Sequence, residues 1–141
     1  MELTTAMLAD SARVAEGKLY IHGGQWTNLW TQAFPAAHPT LAVVVVLRVD
    51  YHEVIDTHEL NVALMMDGVV LGVGAAGQLQ IGRAPGTAPG APTFVPMALP
   101  FFNVPLQGPG RYEWVISVDG TDLGSIPMEV TLQPEGSQPN N

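Results

Sequence analysis

The densest group of side chains able to do chemistry is Asp50-Tyr-His52-Glu53-Val-Ile-Asp56-Thr-His58, where imidazoles and carboxylates crowd a short stretch. Imidazole nitrogen with carboxylate oxygen is a donor set suited to Zn²⁺ or Mn²⁺. A metal- or small-ligand-binding role would fall on Asp50, His52, Asp56 and His58, yet their spacing matches no established metal signature. If residues 51–56 connect two strands and His58 begins the second, the side chains diverge, and an ordinary charged loop is the expectation. No metal and no cofactor is therefore expected.

Other routes to catalysis are weaker still. Cysteine is absent, which removes thiolate nucleophiles, thiolate metal sites and disulfides. His22 and His38 lie near glycine or proline turns without a sequence-adjacent partner. No Gly-x-Ser-x-Gly elbow surrounds Ser11, Ser117, Ser125 or Ser137. Gly68, Gly72, Gly74, Gly77 and Gly82 invite a phosphate-loop reading, but neither the spacing nor the following helix is present. The expectation is a protein that is not an enzyme.

Charge narrows the partners. Arg13, Lys18, Arg48, Arg83 and Arg111 are the only basic residues besides histidine, scattered against 13 acidic ones for a formal charge of −8. Phosphate backbones need clustered positive charge, so nucleic acid is not an expected partner, and neither is an anionic lipid surface. The longest apolar run, Leu41 to Leu47, is far short of the ~20 residues of a membrane-crossing helix. With Glu2 where an export signal would be basic, and no cysteine, the expected location is cytoplasmic.

The elements that position these residues read as strands. The chain has 141 residues, 27 of them Gly or Pro (15 and 12), punctuating short runs of Val, Leu, Thr and aromatic residues. Eight or nine short strands are expected, in a two-sheet antiparallel sandwich that is immunoglobulin-like in general architecture but lacks a Cys-Trp-Cys pattern. The sandwich spans residues 1–132, and 133–141 form a polar C-terminal tail. Leu8 to Ala15 reads as a loop or a turn of helix. A strand within Val95 to Leu106, interrupted by three prolines, belongs at an edge.

Period-two alternation gives the register. Leu41, Val43, Val45, Leu47 and Val49 face the core, as do Leu60, Val62, Leu64 and Met66 on the following strand. Pairing Leu47 with Leu60 would set Arg48 opposite Glu59. Asp67-Gly68 is a type I′ hairpin dipeptide, which would place Leu64 beside Leu71 and Val62 beside Val73, completing a three-stranded meander. Near the C-terminus, Tyr112, Trp114, Ile116 and Val118 alternate inward against Ile126, Met128, Val130 and Leu132. That pairing needs a three-residue turn at Asp119 or a bulge near Gly124.

Leu8-Ala-Asp-Ser-Ala, Glu16-Gly-Lys-Leu-Tyr-Ile-His-Gly-Gly24, Phe34-Pro, His38-Pro39, Gly108-Pro-Gly-Arg-Tyr and Val118-Asp-Gly120 resemble a small bacterial family of unknown function, commonest in actinobacteria. The resemblance covers most of the chain up to Leu132. Its motifs are turn and core residues, so it implies a sandwich and no activity.

One feature exceeds what a sandwich requires. In the meander register, Ala42, Val44, Val46, Ala63, Met65 and Val70 all point outward, making both faces of these strands apolar. Extended apolar surface marks contacts. The expected function is a non-enzymatic binding or assembly module that self-associates as a homo-oligomer or docks a protein partner through this face. The alternative is a metal- or small-ligand-binding protein using the Asp50–His58 loop. A cell-surface adhesive domain is disfavoured by the missing export signal.

Overall fold

A computed structural model of the chain describes residues 1–133. The polar tail expected beyond Leu132 thus lies, apart from Gln133, outside the described residues. Nine strands form two packed sheets: β1 (Glu2–Ala15), β2 (Lys18–Trp26), β3 (Asn28–Thr31), β4 (Ala36–Val49), β5 (Thr57–Met66), β6 (Val69–Gln80), β7 (Thr93–Leu106), β8 (Gly110–Val118) and β9 (Thr121–Leu132). One sheet has the order β2-β1-β4-β7 and the other β3-β9-β8-β5-β6. All ladders are antiparallel except β3 with β9. The two-sheet sandwich is the architecture expected from the alternation.

The core lies between the sheets. From the four-stranded sheet come Leu8, Leu41, Val43, Val45, Leu47 and Val49; from the other come Leu60, Val62, Leu64, Tyr112, Trp114, Ile116, Ile126 and Met128. Each fully buried Val or Leu contributes about 1.5–3 kcal/mol relative to exposure. The β8–β9 turn is the two-residue Asp119-Gly120, both at positive φ, with an irregularity between Ile116 and Ser117 where Leu123 is the extra residue. The bulge near Gly124 is thus how Ile126 reaches the core face beside Trp114.

Three expectations are corrected. Leu8 to Ala15 is strand, because Ala9 to Ala15 pair with Lys18 to Gly24 around the two-residue turn Glu16-Gly17, both at positive φ. The three-stranded meander does not form: β4 pairs with β1 and β7, whereas β5 pairs with β6 and β8. Leu47 and Leu60 belong to opposite sheets and line the same core instead of pairing. Arg48 accordingly contacts Asp50 at 2.7 Å and Glu2 at 3.9 Å, not Glu59. The Asp67-Gly68 turn does form, both residues at positive φ, with Met66 opposite Val69 and Met65 opposite Val70. Beyond it the register shifts, so Val62 pairs with Ala75 rather than Val73, and Leu64 has no regular partner at Leu71.

The register of β1 also explains the second apolar face of β4. β1 pairs with β4 through Glu2–Ala9 and with β2 through Leu8–Ala15, with an irregularity between Leu8 and Ala9. Beyond it the β1–β2 hairpin carries Ala12 and Leu19 onto the outer side of the sheet, where they pack with Met7 against buried Ala9, Ala42 and Val44. This is a second, smaller core layer.

Candidate functional site

The crossover from one sheet to the other, residues 50–56, holds most of the candidate ligands. Its backbone is a tight turn in which Glu53 and Val54 donate to the Asp50 carbonyl and Asp56 donates to that of Glu53. Val54 plugs the core, while Arg83 donates to the Tyr51 carbonyl and lies over the Tyr51 ring, 3.4 Å from its centroid. The loop is thereby tied to the segment following β6, and Gly82 reinforces this by donating to the Val54 carbonyl.

The four candidate ligands diverge. Asp50 is turned to the Arg48 guanidinium. His52 is exposed, edge-on to Tyr51. Asp56 is exposed at the loop's end. His58 is buried at the start of β5, its Nδ1 2.7 Å from an Asp119 carboxylate oxygen and its Nε2 2.7 Å from the Glu53 carbonyl. Both ring nitrogens meet acceptors, so the imidazolium satisfies the site best. Among the described residues, no three His, Asp or Glu side chains come together as a cation cage.

His58 and Asp119 form the charged centre of this end of the sandwich. The other Asp119 oxygen accepts from the Glu59 amide, and the Asp119 amide donates to the Glu59 carbonyl. The Asp119 hydrogen bond holds the His58 pKa above its ordinary value, assisted by the Glu53 carbonyl and opposed by burial. The same bond holds Asp119 below the usual carboxylate range. Glu53 is also lowered, chiefly by its bond to the Met1 amino group at 2.8 Å. The partnership of His58 with Asp119 was invisible to spacing, because the two are 61 residues apart. The available signal was positional: the β8–β9 turn must lie beside the start of whichever strand pairs with β8.

His38 is half-buried, edge-on to Trp26, and its pKa is lowered by that burial. A cleft of about 480 Å³ opens where the end of β6 and the start of β7 meet; its lining is mainly apolar, including Leu79, Ile81, Phe94 and Met97. Among the described residues Arg83 is its only charged lining residue, and that guanidinium is held by the Tyr51 carbonyl. Asp50, Glu53, His58 and Asp119 at this end of the molecule thus bind charged partners and the backbone, an arrangement suited to fixing a loop.

The outward apolar residues separate into two groups. Ala42, Val44 and Val46 lie on the outer side of the four-stranded sheet, where Ala42 and Val44 are buried by the β1–β2 hairpin and Val46 is half-buried. Ala63, Met65 and Val70 lie on the opposite outer side, on β5 and β6. Ala63 and Met65 are half-buried; Val70 is 62% exposed, next to Val69 at 60%. The single surface expected over all six residues is therefore split, and its exposed part is the β5–β6 hairpin.

The chain belongs to a family of unknown function (DUF6941), which it matches over residues 4–131. No curated protein matches it.

Proposed function

We propose that this member of the DUF6941 family is a non-enzymatic binding or assembly module that self-associates or docks a protein partner, with its contact surface on the β5–β6 hairpin. The observation that carries the reading is the exposed run Val69-Val70-Leu71, with Met65 paired to Val70 beneath it. Leaving these apolar side chains, which alternate between the two faces of the hairpin, in water forgoes about 25 cal/mol per Å² that a contact would recover. Nothing in the core requires valine at two positions about 60% exposed, where Thr or Lys would serve a solvated strand. The hydrogen bonds that fill both ring nitrogens of His58 and both oxygens of Asp119 argue for a structural role of this pair. A bacterial, cytoplasmic setting accords with the resemblance and with the absence of cysteine.

The test is the mass of the purified protein at high micromolar concentration, before and after the double substitution Met65→Lys/Val70→Lys. The reading predicts an assembly larger than the 15.0 kDa chain that loses mass on substitution while its circular dichroism is unchanged. A monomer that also yields no defined crosslinked adduct would contradict it.

A further inference from the structure

We infer that β6 pairs edge to edge with β6 of a second copy of this chain, antiparallel and across a two-fold axis, so that two five-stranded sheets become one. The inference rests on the assembly reading and names the partner and the contact.

The sandwich has four sheet edges, and three carry devices that discourage pairing. β7 is interrupted by Pro96, Pro100 and Pro105, which have no N–H to offer. β3 has four residues. β2 is distorted at Gly23 and Gln25, both at positive φ, and begins with Lys18. β6 carries no such device beyond Gly72, which is at positive φ near its start. It is 12 residues long, without proline or charge, and mostly exposed. Its one irregularity lies near Gly72; beyond it, Gly74–Gln80 runs in unbroken register with Thr57–Ala63. No strand among the described residues pairs with its far side. That side is a row of backbone donors and acceptors roughly 23 Å long at 3.3–3.4 Å per residue.

Charge selects the occupant. With a net charge of −8, two copies repel through most of their surface, but the sequence from Val69 to Gly82 contains no charged residue. This edge is where like-charged copies approach at least cost, and it offers no complementary charge to an acidic or basic peptide. An antiparallel contact between identical strands is isologous, so it closes as a dimer and leaves no free β6 edge for further growth. Ala75 and Ala76, flanked by Gly74 and Gly77, place nothing bulky at its centre. A stable interface clears about 1,000 Å² in total, so the flanking Val70 and Leu71 must add apolar area to the backbone pairing.

The test uses sedimentation of the full chain and of two sets of variants. Ala76→Glu/Gln78→Glu places carboxylates on exposed positions of the edge; because Gln78 pairs with Glu59 across the β5–β6 ladder, circular dichroism of the variant verifies that the monomer stays folded. Ala75→Pro and Ala76→Pro remove adjacent N–H groups that point to opposite sides of the strand. The expected wild type is a dimer of about twice 15.0 kDa. The double Glu variant is expected to dissociate with an affinity loss of roughly tenfold or more, the equivalent of about 1.4 kcal/mol. Of the two proline variants, one is expected to be a folded monomer and the other to be destabilised through the β5 ladder. A dimer that survives the Glu and Pro substitutions but dissociates with Met65→Lys/Val70→Lys overturns strand pairing and leaves the assembly reading standing. A monomeric wild type overturns the pairing, and the absence of any crosslinked adduct overturns the broader reading as well.

Discussion

Replacing Trp114 with alanine is expected to cost about 3–5 kcal/mol of stability, a large share of the 5–15 kcal/mol typical of a domain. Trp114 is fully buried on β8, flanked in register by Leu64 and Ile126, and its ring centroid lies 4.7 Å from that of Phe101 on the opposite sheet. Truncation leaves a cavity at the point where the two sheets meet, which Leu64, Ile126 and Phe101, held on their own strands, fill only in part. The indole Nε1 is buried without a hydrogen-bond partner among the described residues. Phenylalanine would keep most of the volume and remove that unpaired donor, so Trp114→Phe should cost well under half as much. Urea denaturation of the three proteins measures this directly. An unchanged midpoint for Trp114→Ala would mean that this residue does not join the sheets.

The second large effect is expected at His58, whose substitution by glutamine should cost about 1–3 kcal/mol below pH 6.5 and much less at alkaline pH. The sign follows from its surroundings. Its pKa is raised from the ordinary 6.5 by Asp119, so its contribution is full below 6.5 and is lost as pH rises through the higher folded value. Asp119 is lowered from 3.8, so its contribution is present above that value and is lost as pH falls through the lower folded one. The pair therefore stabilises most between the two ordinary values. His38 has the opposite sign: burial lowers its pKa, so its contribution is full above 6.5 and declines in acid. Of these three groups, His58 alone loses its contribution above pH 6.5. Thermal melts should show wild-type stability declining on that limb and His58→Gln flattened there; parallel curves would remove His58 from the account.

Alternation identified which residues face the core, and it did so correctly for β4, β5 and β8; on β9 it holds for Ile126, Met128 and Val130 but not for Leu132, which is 50% exposed near the strand's end. It could not assign β4 and β5 to their sheets. Leu47 and Leu60 both point into the core whether their strands are neighbours in one sheet or face each other across it, so period two is blind to the difference. The crossover of residues 50–56 was the discriminating feature, since its buried Val54 and the Arg83–Tyr51 contact bend it between layers. Local turn chemistry was more informative: Asp67-Gly68 and Asp119-Gly120 both form turns, and of the two solutions that the position of Ile126 allowed, a longer turn or a bulge near Gly124, it is the bulge that forms. The apolar outer positions of β4 were correctly seen as unusual. Their cause is the folded-back β1–β2 hairpin, a long-range contact that no local pattern encodes. Likewise, the undefended character of β6 emerges only when its neighbours are known, because an uncharged Gly/Ala/Val strand is unremarkable in the middle of a sheet and conspicuous at its edge.

The central claim, that the β6 edge is a contact between copies, is tested most directly by amide hydrogen exchange measured residue by residue at dilute and at high protein concentration. Alternate amides of Gly74–Gln80 bond to β5, and the intervening ones point away from it. The account predicts that the outward amides exchange readily in dilute protein and become protected as concentration rises, while amides of β7 and β2 on the other long edges do not change. Outward β6 amides that exchange at the same rate at every concentration would contradict it.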